Sequence, residues 1–123
     1  MFLFKKKKPA PQETEPTFVI SVPYSAHFKG FKRIKLDNYN DAEAEAGLQA
    51  AKAAASVDKI VFKEYRFPGV TPLIRVFADN YKLGTIWRSS HQEYYDLIKK
   101  KKCTKATFGY NELGNVFVFI KFE

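Results

Sequence analysis

The sequence predicts a single β-rich α+β domain with two helices. Three observations carry this expectation. Aromatic residues make up 16% of the 123 residues, with twelve Phe, seven Tyr and one Trp, which suits a compact, sheet-rich core and not a disordered chain. Most apolar residues fall into short β-branched and aromatic runs bounded by Pro, Gly, Asn and Asp, the punctuation of strands and turns. Only two windows, one Ala-rich and one amphipathic, have helical character. A chain this long buries well over half of its unfolded surface, so it needs no metal or disulfide staple.

The elements follow in order. Residues 1–17, MFLFKKKKPAPQETEPT, read as a disordered, basic and Pro-rich arm, because Pro9, Pro11 and Pro16 block regular structure and no apolar period appears. The folded domain is then 18–123, and it should survive loss of the arm. The stretch FVISV at 18–22 is a β-branched strand signal. Residues 24–36, YSAHFKGFKRIKL, read as strand punctuated by Gly30. Eight alanines between Ala42 and Ala55 give the strongest helix propensity in the chain. Asn40 with Glu43 has capping-box spacing. The face through Ala44, Leu48, Ala51 and Ala55 is small, so this helix should lie close against a sheet, anchored by Leu48.

The second half resumes the sheet. Residues 59–67, KIVFKEYRF, form a strand, and PGVTP at 68–72 a loop. The runs 73–78 and 82–87 flank Asp79, Asn80 and Tyr81 as a hairpin. Gly84 inside the second run predicts a bulge or a close backbone approach. Ser90 with Glu93 forms another capping box, and Tyr94, Leu97 and Ile98 give the second helix its apolar face. That helix should run into Lys99, Lys100, Lys101 and Lys102, cations suited to the negative end of its dipole. Two last strands, 104–110 and 116–122, are joined by NELGN. Val116, Val118, Ile120 and Phe122 share one face of the last strand. Phe117 and Phe119 share the other, which is either covered or left for a partner.

Catalytic chemistry has no support in these residues. Cys103 is the only cysteine, which excludes an intrachain disulfide and a Cys-cluster metal site and favours a reducing, cytoplasmic compartment. The preceding lysines should lower its thiol pKa. His27 and His91 stand in no ligand spacing, so no metal is expected. There is no Gly-rich phosphate loop, and no cofactor is implied. Ser90 beside His91 is explained by its capping role. The chain is therefore expected not to be an enzyme. No segment reaches the roughly 18 apolar residues of a membrane span.

The charge balance carries more. The net charge is +8, of which the first 17 residues supply +2 through Lys5, Lys6, Lys7 and Lys8 against Glu13 and Glu15, leaving +6 for the rest. That excess suits a polyanion partner. Seventeen lysines against four arginines fit general attraction better than base-specific readout. Phe2, Leu3 and Phe4 ahead of the lysine run, Lys5 to Lys8, offer weak contact with an anionic membrane surface. Basic and aromatic residues coincide at Tyr65, Arg66, Tyr81, Lys82, Trp87 and Arg88, with Lys99, Lys100, Lys101 and Lys102 beyond the second helix. Aromatic rings stack on unpaired bases, and lysines and arginines hold phosphates. Trp87 and Arg88 are the residues expected to matter most, as base stacker and phosphate ligand.

Residues 59–122 resemble the HIRAN domain family in the order of their elements. The matching runs are IVFKEYRF, LIRVFADNYKLGTIWRSS with Gly84, the helix HQEYYDLIKKKK, then ATFGY and VFVFIKF. Residues 18–22 correspond to the family's first strand. The resemblance implies a small OB-like barrel or strongly curved antiparallel sheet with two helices. It also implies single-stranded DNA as a partner, as in the remodelling and repair proteins that carry the domain; other members are small stand-alone bacterial and phage proteins. Arg88 falls where the family often has a basic residue after the glycine strand. Thr85 departs from the aromatic or histidine usual there, and residues 67–71 replace the run that forms the family's DNA-end pocket. The function expected is non-enzymatic binding of single-stranded nucleic acid. The alternative is a protein-interaction module that uses a sheet edge or the face of Phe117 and Phe119.

Overall fold

The computed structural model describes residues 11–15 and 19–123. Among these, eight strands and two helices build two four-stranded sheets. The first sheet orders β1 (Gln12–Thr14), β4 (Ile60–Tyr65), β5 (Leu73–Ala78) and β6 (Tyr81–Trp87), all antiparallel. The second orders β2 (Val19–Ser21), β7 (Cys103–Tyr110), β8 (Val116–Phe122) and β3 (Lys32–Lys35). Here β2 joins β7 in parallel, and the other pairs are antiparallel. The class is the one the sequence predicts: α+β, β-rich, with two helices. The sheets do not close into a barrel. Asp37, just beyond β3, bridges Thr85 of β6, with reciprocal backbone hydrogen bonds of 2.8 and 2.9 Å.

Period-two alternation places the core between the sheets. Ile60, Phe62, Ile74, Val76, Leu83 and Ile86 meet Ile34, Ala106, Phe108, Val116, Val118 and Ile120 in one buried cluster. Phe117 and Phe119 point to the far face, and they are fully buried there. Val22, Ala26, Phe28 and Phe31 cover them, with Phe28 edge-on to Phe119 at 4.8 Å. The face of Phe117 and Phe119 is thus closed by the chain itself and is not a partner surface. The segment read as strand at 24–36 is mostly this irregular cover, with only Lys32–Lys35 in the sheet. Val22, Phe28 and Phe31 bury more apolar surface by capping two phenylalanines than they would by extending an edge strand rich in charge.

The arm also needs correcting in part. Gln12–Thr14 lies within 1–17 but pairs with β4, setting Gln12 opposite Phe62 and Thr14 opposite Ile60. Thr14 is buried, and Glu13 pairs with Lys59 at 2.6 Å. Residues 1–10 and 16–18 lie outside the described residues. A chain starting at residue 16 should therefore be less stable than one starting at residue 11, by about 1–3 kcal/mol. Coincident denaturant midpoints for the two chains would show that β1 contributes nothing.

Helix α1 (Ala42–Ala53) is capped by Asp41, whose Oδ1 accepts from Ala44 N at 3.0 Å. The expected cap, Asn40, instead sits at φ 52 in the preceding turn, a conformation Asn tolerates. Ala44, Gly47, Leu48 and Ala51 form the buried face, and α1 packs along β6. Gly84 fulfils both halves of its expectation. Leu83 is the extra residue of a bulge, since Val76 faces Gly84 while Phe77 faces Lys82. A β-carbon on Gly84 would stand 2.8 Å from the Leu36 β-carbon.

Helix α2 (Gln92–Lys99) starts two residues later than Ser90. The Trp87 carbonyl takes the amides of Ser90 and His91 in a turn, and no side chain caps the helix. It buries Tyr95 and Ile98. It ends at Lys99, because Lys101 turns to φ 60.

Candidate nucleic-acid interface

The outer face of the first sheet is built by the residues that alternate with the core positions. Directly opposed residues share a face, so Lys63, Arg75 and Thr85 form one row, and Tyr65, Leu73 and Trp87 the next. Two cations, Lys63 and Arg75, thus stand directly opposite each other. Neither has a carboxylate among the ion pairs of the described residues. They rest on rings instead. Lys63 Nζ is 4.9 Å from the Phe77 ring centroid, and the Arg75 guanidinium carbon is 4.4 Å from that of Tyr65 and 5.9 Å from that of Phe67. Tyr65 and Phe67 are parallel within 3°. Phe67 is 44% exposed, and Lys63, Tyr65, Arg75, Phe77 and Trp87 are all partly exposed.

The ten residues singled out in the sequence do not form one site. Tyr65 belongs to the outer face. Tyr65, Arg66, Lys99 and Lys101 line a cleft of about 720 Å³ where β4 runs on past the end of β1. Trp87 lies in a separate groove of about 560 Å³ with Tyr39 and His91, and its Nε1 donates to Asp37 Oδ2 at 2.7 Å. Tyr81 packs against the main core. Lys82 is held by Asp41 at 2.8 Å with its side chain only 13% exposed, so its charge serves α1 docking. Burial raises the Asp41 carboxyl pKa, but Lys82 and the amides of Ala44 and Glu43 outweigh it and leave the group below its ordinary value. Arg88 reaches Asp96 at 3.5 Å, and Lys102 reaches Glu123 at 3.3 Å. Lys100 is exposed at the end of α2. Long pairs of this kind at the surface are weak.

Lys63, Phe67, Arg75 and Phe77 are the residues that sequence reasoning missed. Their signal was present as alternation. Lys63, Tyr65 and Phe67 fall every second residue, as do Arg75 and Phe77. Only the register shows that these two runs face each other.

Burial pushes the Cys103 thiol up to about 12, against a smaller opposing effect of Gln12. The shift is opposite to the lowering expected from the preceding lysines, because burial penalises the thiolate. Alkylation of Cys103 at pH 8 should run about one to two orders of magnitude slower in the native protein than in urea. Equal rates would mean that the thiol is not shielded as described. Among the described residues, no group of three or more His, Cys, Asp or Glu is placed to hold a metal, and no helix is long and apolar enough to cross a membrane. Comparison with known protein families, curated proteins and solved structures finds no match to this chain.

Proposed function

We propose that this chain is a non-enzymatic nucleic-acid-binding module that lays a single strand across the outer face of its first sheet. The supporting observation is the opposed pair of Lys63 and Arg75. Like charges directly across a ladder destabilise a sheet, and no carboxylate relieves this pair. An anion laid over them removes the penalty. Aromatic rings beside the cations favour a strand with unpaired bases over a duplex, since rings stack on base faces. The resemblance to HIRAN domains puts DNA first.

In the bound state Lys63 and Arg75 leave the rings for phosphates, and Tyr65, Phe67 and Phe77 take bases. Lysine suits the first role through its flexible stem, and arginine through a fork that donates to two phosphate oxygens. Anisotropy of a short labelled single strand at two salt concentrations tests this. Lys63→Ala and Arg75→Ala should weaken all sequences alike and each flatten the salt slope by about one unit. Phe77→Ala should cost about 1–3 kcal/mol of binding with the slope unchanged. Trp87→Ala and Arg88→Ala should do less, since Trp87 Nε1 already donates to Asp37 and Arg88 follows the end of β6, beyond the rows of the outer face. Absence of wild-type binding at low salt would end this reading and leave the protein-interaction module as the alternative.

A further inference from the structure

The cleft beside β4 holds more cationic charge than the fold uses. Among the described residues, strand β1 pairs with Ile60, Val61 and Phe62, and Lys63, Glu64 and Tyr65 have a strand neighbour on the β5 side alone. Into the space left there come Arg66 from the end of β4, and Lys99 and Lys101 from the end of α2. Lys101 holds φ 60, a region costly for a residue with a β-carbon. One carboxylate stands among these cations. Glu64 Oε2 accepts from the Tyr95 hydroxyl, and lies 3.5 Å from Arg66 Nη2 and 3.9 Å from Lys99 Nζ. Glu64 occupies an inward position of β4, in line with Ile60 and Phe62, and its side chain is still 29% exposed. Both contacts with the cations are long, and neither cation is saturated by one carboxylate oxygen.

We propose that this cleft binds a phosphoryl group through Arg66, Lys99 and Lys101, and that Glu64 holds the anion's place in the free protein and sets the affinity. A phosphoryl group brings more acceptor oxygens than a carboxylate does and suits the arginine fork. The cleft adjoins the outer face through Lys63 and Tyr65, so the group belongs to a nucleic-acid strand crossing the edge of β4. That last step rests on the function proposed above; the site itself does not.

Calorimetric titration of the full chain with tripolyphosphate at low salt tests the site. Glu64→Gln keeps an acceptor for the Tyr95 hydroxyl and removes the competing charge, so affinity should rise about fivefold or more. The double variant Lys99→Ala, Lys101→Ala should lose about tenfold or more. Lys121→Ala, on the other sheet, removes one charge elsewhere and should change affinity less than about twofold. A labelled single strand should rank the variants in the same order. The proposal is overturned if wild type and Glu64→Gln both fail to bind tripolyphosphate. It is also overturned if Glu64→Gln binds no tighter, or if Lys121→Ala weakens binding as much as the double variant. Tripolyphosphate binding without strand binding would keep the cleft and remove the nucleic-acid reading.

Discussion

Replacement of Gly47 by alanine should strongly destabilise the protein. On helix propensity alone the change should stabilise, since glycine in a helix interior costs about 1 kcal/mol relative to alanine. Packing reverses the sign. A β-carbon on Gly47 would fall 2.0 Å from the Lys82 carbonyl oxygen and 2.8 Å from its backbone nitrogen. Those atoms belong to β6 and cannot rotate away as a side chain does. Either α1 lifts off β6 or the strand shifts, and a shift would disturb the Lys82–Asp41 pair, whose carboxylate also caps α1. The loss should be at least about 3 kcal/mol, beyond the usual overpacking penalty. Typical domains have only about 5–15 kcal/mol in reserve. Ala46→Gly, at an exposed neighbour in the same helix, should cost only about 1 kcal/mol. A Gly47→Ala protein that melts at or above the wild-type temperature would show that α1 does not sit on β6 as described.

Leu48→Asp is the second large effect. Leu48 is 4% exposed and joins the main core, where it is the one large side chain on an otherwise small helix face. Truncating a buried leucine costs about 2–5 kcal/mol. A carboxylate left there without a partner adds a desolvation penalty, or takes up a proton to avoid it. The sum should exceed about 4 kcal/mol. Lys52, on the exposed side of the same helix, places Nζ 4.7 Å from the Tyr110 ring centroid, so Lys52→Ala should cost no more than about 1 kcal/mol. Equal denaturation midpoints for the two variants would mean that α1 is not docked through Leu48.

Much of the local structure was legible because it depends on local chemistry. Residues 73–78 and 116–122 are short runs of β-branched and aromatic residues, and they are strands over those same bounds. The alanine run is a helix for reasons confined to a few neighbouring residues, and Gly84 marks the bulge at Leu83. Caps were off by one or two positions. Asn40 entered the left-handed turn and passed its role to Asp41, while the Trp87 carbonyl took the amides of Ser90 and His91 and held both residues in a turn ahead of the helix.

What only the tertiary structure decided is which residues meet. Composition showed a basic, aromatic chain, but it could not show that Lys82 is spent on Asp41 or that Arg88 comes to stand beside Asp96. It could not distinguish Phe119, sealed under Phe28, from Phe77, which lies on the open face. Periodicity assigns each residue to a side of its own strand. It does not say which strand lies next to it, in what register, or which side the rest of the chain covers. Those depend on contacts between distant segments, such as Lys63 with Arg75 and Gly47 with the backbone of Lys82, and the energy of such contacts exists only once the sheets have packed.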